Sequence, residues 1–86
     1  MPEISRFFGI IVRMYFNDHS PPHFHAEYQE YEAKYDIKTL KIIKGKMSKR
    51  ANALILEWAD DHRKELIKNW ELSAVPKPLK SIEPLK

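Results

Sequence analysis

Two short segments of strict alternation, His23-Phe24-His25-Ala26-Glu27-Tyr28 and Tyr31-Glu32-Ala33-Lys34-Tyr35-Asp36-Ile37, constrain the fold of this chain more than any other feature. Successive side chains of a β-strand point to opposite faces of a sheet. Phe24, Ala26 and Tyr28 therefore share a face with Tyr31, Ala33, Tyr35 and Ile37, while His23, His25 and Glu27 share the other with Glu32, Lys34 and Asp36. Only Gln29-Glu30 separates the two runs, which predicts a hairpin. A two-residue turn sets Tyr28 opposite Tyr31, Ala26 opposite Ala33 and Phe24 opposite Tyr35, and on the polar face His25 opposite Lys34 and His23 opposite Asp36. Gln-Glu lacks the Gly or Asn that tight hairpin turns favour, and a bulge here would change these partners.

The flanking segments extend this scaffold. Residues 7–16 are nearly continuous in β-branched and aromatic side chains, the pattern of a central strand buried on both faces. Phe8, Ile10, Val12, Met14 and Phe16 point one way along it, and Ile11, Arg13 and Tyr15 the other. Asn17-Asp18-His19-Ser20-Pro21-Pro22 reads as a loop. Leu40-Lys41-Ile42-Ile43 predicts a fourth short strand closed by Lys44-Gly45-Lys46. Ser48 is a helix N-cap candidate, and from Lys49 to about Leu72 the chain has good helix formers without Gly or Pro. Ala51, Ile55, Trp58, Ala59, His62, Leu66 and Trp70 form one apolar stripe at helical spacing. Beyond Ser73, Pro76, Pro78 and Pro84 predict an extended arm that lies along the domain or engages a partner. The expectation is an α+β domain over residues 1–72, an antiparallel sheet of three to four strands packed by one long C-terminal helix, with an extended proline-containing arm over residues 73–86.

At 86 residues, with 43% hydrophobic side chains and ten Phe, Trp and Tyr, the chain supports one modest core and only shallow pockets. With no cysteine there is neither a disulfide framework nor a thiolate metal site. The apolar stretch from Phe7 to Val12 is too short to cross a bilayer and no export signal is evident, so a cytoplasmic location is expected and a membrane role is not. A net charge of +3 permits an acidic partner, nucleic acid included, without requiring one.

The chemistry is concentrated where three of the four histidines, His19, His23 and His25, fall within seven residues around Pro21-Pro22. A His-x-His pair on a strand presents both imidazoles on one face, close enough to hold one divalent transition metal, with His19, Glu27 or Asp36 as the third ligand. Against a metal stands Lys34, whose ammonium is expected opposite His25. The alternative chemistry is metal-free acid–base catalysis of the ribonuclease type, with His23 and His25 exchanging protons, Asp36 orienting His23, and Arg13 or Lys34 stabilising an anionic transition state. The plainest reading is that these are polar groups on a solvent-facing sheet, with His23 satisfied by Asp36. His62 is expected to be a core histidine apart from this cluster, satisfied by a neighbouring polar group such as a tyrosine hydroxyl, and Trp58 and Trp70 to be core anchors. The run Lys38, Lys41, Lys44, Lys46, Lys49 and Arg50 offers a phosphate-contacting edge, but with no aromatic platform or reading helix beside it the favoured role is to guard an edge strand.

Read together, Pro2-Glu3-Ile4-Ser5, Gly9-Ile10, Met14-Tyr15, Asn17-Asp18-His19, Pro21-Pro22-His23-Phe24-His25-Ala26, Leu56-Glu57-Trp58-Ala59 and Asn69-Trp70-Glu71-Leu72 resemble the small bacterial family catalogued as domain of unknown function 4160, over almost the whole chain. The chain departs from that pattern at Gln29, where many relatives have Gly. The resemblance implies a compact protein often encoded beside a second small protein, of domain of unknown function 2442, in a toxin–antitoxin-like or regulatory two-gene cassette. On that basis the expected role is a protein- or nucleic-acid-interaction module whose contact surface is Arg13, Tyr15, His23, His25 and Lys34, with the proline-containing arm as a second docking element. A small hydrolase or ribonuclease, or a metal-binding protein, is the rival.

Overall fold

The structure, a computed structural model, describes residues 2–86. Five strands form one antiparallel sheet in sequence order: β1 (Glu3–Phe7), β2 (Ile10–Arg13), β3 (His23–Tyr28), β4 (Tyr31–Asp36) and β5 (Ile42–Lys46). Two helices, α1 (Lys49–Asp61) and α2 (Arg63–Ala74), follow. The α+β architecture is as expected, with one strand and one helix more than the sequence predicts.

The β3–β4 hairpin has the expected register, His23 opposite Asp36, Phe24 opposite Tyr35, His25 opposite Lys34, Ala26 opposite Ala33 and Tyr28 opposite Tyr31. Its turn closes with Gln29 at φ +54°, a left-handed conformation that glycine tolerates far better. Gln29→Gly is therefore expected to stabilise the protein by about 0.5–1 kcal/mol, the strain relief being offset in part by added freedom of the unfolded chain. A rise in the urea unfolding midpoint with an unchanged slope would show it.

The long strand expected over residues 7–16 is instead the end of one hairpin strand and the whole of another. Phe8 and Gly9, at φ +49° and +82°, make a two-residue turn with Phe7 facing Ile10. Ile10, Val12 and Met14 point into the core as expected, but Phe8 sits on the turn and Phe16 beyond the strand, and both are exposed. The fourth predicted strand begins two residues later and runs through Gly45.

Residues 49–72 do not form one helix. Ser48 caps α1 as expected, its hydroxyl accepting from Ala51 N–H at 3.2 Å. The helix then closes at His62, whose N–H turns back to the Ala59 carbonyl, and α2 restarts with Leu66 N–H on the His62 carbonyl. A continuous helix of that length would measure about 36 Å, more than the 34 Å longest extent of the protein. The break keeps both halves on the core. Ala51, Ile55, Trp58, Ala59 and Leu66 are buried along the expected stripe, Trp70 partly so, with Asn69 and Ser73 buried beside them.

The C-terminal arm lies along the domain. Ile82 N–H donates to the Ile4 carbonyl at 2.8 Å, and Ser5 Oγ donates to the Ile82 carbonyl at 3.0 Å, so the arm covers part of the β1 edge. Asn69 clamps Lys80 through both its backbone groups, and Trp58 Nε1–H donates to the Glu83 carbonyl at 2.8 Å. No helix is long and apolar enough to cross a membrane among the described residues.

Candidate metal centre

His23 opens β3 and His25 follows on the same face, so strand periodicity alone aims both imidazoles at the β2–β3 loop. That loop doubles back over them. Asn17 takes φ +54°, a value Asn tolerates, and its N–H donates to the Ser73 carbonyl at 3.1 Å, fastening the loop to the end of α2. The Ser20–Pro21 peptide is cis. The result places Asp18 against the histidines: its Oδ2 lies 2.8 Å from His23 Nε2 and 3.5 Å from His25 Nε2.

His23 is only 2% exposed, and both of its ring nitrogens face oxygens. Nδ1–H donates to the Pro21 carbonyl at 2.7 Å, which leaves Nε2 directed at the Asp18 carboxylate. Two states satisfy this geometry: a doubly protonated ring, or a ring that keeps Nδ1–H and gives its Nε2 lone pair to a cation shared with Asp18. Trp70 of α2 packs on the ring at 5.0 Å between centroids, and Tyr15 meets His25 edge-on at 4.4 Å.

The carboxyl group of Asp18 would be pushed up by burial, but the His19 N–H at 2.9 Å and the His23 imidazole outweigh this and hold it below its usual range. His25 is pulled below the ordinary imidazole value, first by burial and then by the charge of His23, with Lys34 adding to the effect against the favourable Asp18 contact. His25 is therefore disposed to be neutral near pH 7, the form that binds a metal. Both shifts make the unfolded chain the stronger proton acceptor. Stability should thus fall as pH drops below 6.5 toward the depressed His25 value, and fall again below 3.8 as Asp18 is protonated. Urea midpoints measured from pH 7.5 to 3 should follow this course in wild type, and His25→Gln should remove the upper step.

The cluster differs from the ligand set expected from sequence. Asp18, His23 and His25 each offer a donor atom and all three atoms lie within 4.8 Å of one another. Asp36, although opposite His23 in register, turns its carboxylate to the Lys38 and Thr39 N–H groups at 2.7 and 3.0 Å and shapes the turn after β4. Glu27 is held by Arg13 at 3.0 Å. His19 is exposed and contributes its backbone N–H to Asp18, not its ring to the cluster. Lys34 stands opposite His25 as expected. His62 is apart from the site, as expected, though its partner is Glu65 at 2.6 Å where a tyrosine hydroxyl was anticipated. Asp18 is the residue the sequence reading passed over as a loop former. The signal available was its spacing, since only four residues separate it from His23 and two of them are prolines.

Three donors from a doubled-back loop and one strand can hold a single ion. Atoms bound to one metal at 2.0–2.2 Å are about 3–3.5 Å apart in tetrahedral or octahedral geometry, close to the 2.8 and 3.5 Å found here. Two imidazoles and one carboxylate with open positions suit zinc, manganese or ferrous iron.

The fold and site define a small α+β protein with a histidine–aspartate cluster at the entrance to its central strand. The chain belongs to the family Domain of unknown function (DUF4160), whose model matches residues 9–71 and so spans the cluster. No curated protein and no solved structure matches the chain.

Proposed function

We propose that this protein binds a divalent transition metal through Asp18, His23 and His25, and that the centre serves a hydrolytic reaction. The observation that supports this most is His23, whose Nδ1–H is tied to the Pro21 carbonyl while its Nε2 converges on the same carboxylate oxygen as His25. Metal-ligating histidines are commonly oriented by a hydrogen bond from the other ring nitrogen to a backbone carbonyl. A metal held by three protein donors keeps positions for water, lowers that water's pKa and polarises a substrate oxygen, which is the chemistry of hydrolases. Titrating the protein with zinc or manganese while following the imidazole NMR signals tests the reading. His23 and His25 should respond at micromolar metal and His19 and His62 should not; no response from His23 and His25 would refute it.

A second reading is an interaction module of a bacterial two-gene, toxin–antitoxin-like or regulatory cassette, acting in the cytoplasm on the neighbouring gene's product. It is favoured by β5, which ends the sheet and leaves Ile42 and Ile43 39% and 44% exposed. A terminal strand of this kind is a template for a partner's strand. Co-expression with the neighbouring protein should yield a complex that Ile43→Glu weakens. The full chain is used, because the Lys80, Ile82 and Glu83 contacts hold the C-terminal arm to the core.

A further inference from the structure

We propose that Lys34 and Lys44, beside His25, form the subsite for a phosphoryl group of the substrate handled at the Asp18–His23–His25 centre. The inference rests on the metal-centre reading and specifies its substrate class.

The sheet register carries the argument. His25 is opposite Lys34, and Lys34 is opposite Lys44, on the face of the sheet opposite Phe24 and Tyr35. Side chains directly opposed on neighbouring strands have Cβ atoms about 4.5–5.5 Å apart, and like charges so placed destabilise the pairing. The next row is compensated, because Arg13 binds Glu27 at 3.0 Å and Glu32 stands opposite Lys46. Asp36, next on the same face of β4, is committed to the Lys38 and Thr39 amides. Among the described residues neither Lys34 nor Lys44 enters an ion pair. Two ammonium groups are thus opposed with no anion of the protein paired to either.

Lysines on an edge strand discourage sheet-to-sheet aggregation, and that role accounts for Lys44 and Lys46. It does not account for Lys34, because β4 is paired on both sides. Lys34, Lys44 and His25, with Glu32, Ala33 and Gly45, line a depression of about 270 Å³. That is below the usual range for a drug-sized ligand and suits a small anionic group. Glu32 is the one acidic wall, and it faces Lys46 in register. His25 lines the depression and also belongs to the Asp18–His23–His25 cluster, so an anion seated between the lysines would lie beside a residue that would hold the ion. Lysine binds phosphate as a point charge, and two lysines beside a divalent cation match a multiply charged tetrahedral anion better than a carboxylate.

The test uses the full chain, without metal, titrated with inorganic phosphate, a nucleoside 5′-monophosphate, a dinucleotide and acetate while backbone amides are followed by NMR. Saturable shifts at Lys34, Lys44 and His25 with the phosphoryl compounds, reduced at least tenfold in affinity in the folded K34Q/K44Q double variant, are expected. The monoester and the diester arms show which source of the phosphoryl group is preferred. Absence of saturation at millimolar phosphate, an equal response to acetate, or binding that K34Q/K44Q leaves unchanged would overturn the proposal. Zinc affinity of K34Q/K44Q, measured in parallel, separates the two readings: failure of anion binding with zinc binding intact removes the subsite alone. Failure of zinc binding in wild type removes the metal centre instead.

Discussion

Replacing Asp18 by alanine is expected to lower stability at pH 7 by about 2 kcal/mol, and to weaken zinc binding by more than the roughly 10–100-fold that loss of an outer partner costs a metal site. The stability term arises because His23 is buried with Nε2 directed at Asp18 Oδ2, 2.8 Å away. Removing that oxygen leaves a ring nitrogen without its partner in a site closed by Trp70. Water reaches the Asp18 position, whose side chain is 21% exposed, so the loss stays below that of a fully buried pair. Asp18→Asn keeps one acceptor oxygen for the His19 N–H but sets an amide NH2, a donor, where Oδ2 faces His23 Nε2, and it lacks the charge; it should retain more of the stability than of the metal affinity. Urea unfolding and calorimetric zinc titration of the three proteins measure both terms. Unchanged stability and affinity in Asp18→Ala would remove Asp18 from the account.

The larger effect on folding is expected at Trp58. Its ring is fully buried, 5.3 Å from Phe7, 5.9 Å from Phe24 and 5.6 Å from His62 between centroids, and its N–H holds the arm at Glu83. Trp58→Ala should cost about 4 kcal/mol through lost burial and the cavity left behind. Domains of this size are stable by roughly 4–13 kcal/mol, so the substitution should remove between about a third and all of the stability, read as a fall in the urea midpoint. Trp58→Phe retains an aromatic ring but loses the N–H and some volume, and should be much milder. A loss below 1 kcal/mol in Trp58→Ala would contradict the packing described.

What could be read from the sequence was whatever depends on local periodicity. The β3–β4 alternation specifies a register because a one-residue slip would turn His25 and Lys34 onto the core face and expose Phe24 and Tyr35. The same reasoning failed at Phe7-Phe8, where an unbroken apolar run conceals a turn whose only local mark is Gly9. No Gly or Pro announces the break at His62; it follows from the size of the core the helices must cover. The site divides in the same way. His23 and His25 share a face by strand geometry, but Asp18 reaches them because its loop is pinned to Ser73 at the end of α2, a tertiary contact with no sequence period. Register placed Asp36 opposite His23 correctly, yet the carboxylate belongs to the turn amides two and three residues on, which compete successfully for an Asp at a strand end. The fold thus exchanges the acid expected across the hairpin for one from the preceding loop.

The most direct test of the metal centre is a crystal structure of the protein grown or soaked with zinc or manganese, with anomalous data collected at the metal edge. One ion should lie among Asp18 Oδ2, His23 Nε2 and His25 Nε2, at about 2.0–2.2 Å from each, with the His23 Nδ1–H still on the Pro21 carbonyl. An ion bound instead at His19, Glu27 or Asp36, or no anomalous peak among the three donors at millimolar metal, would contradict it.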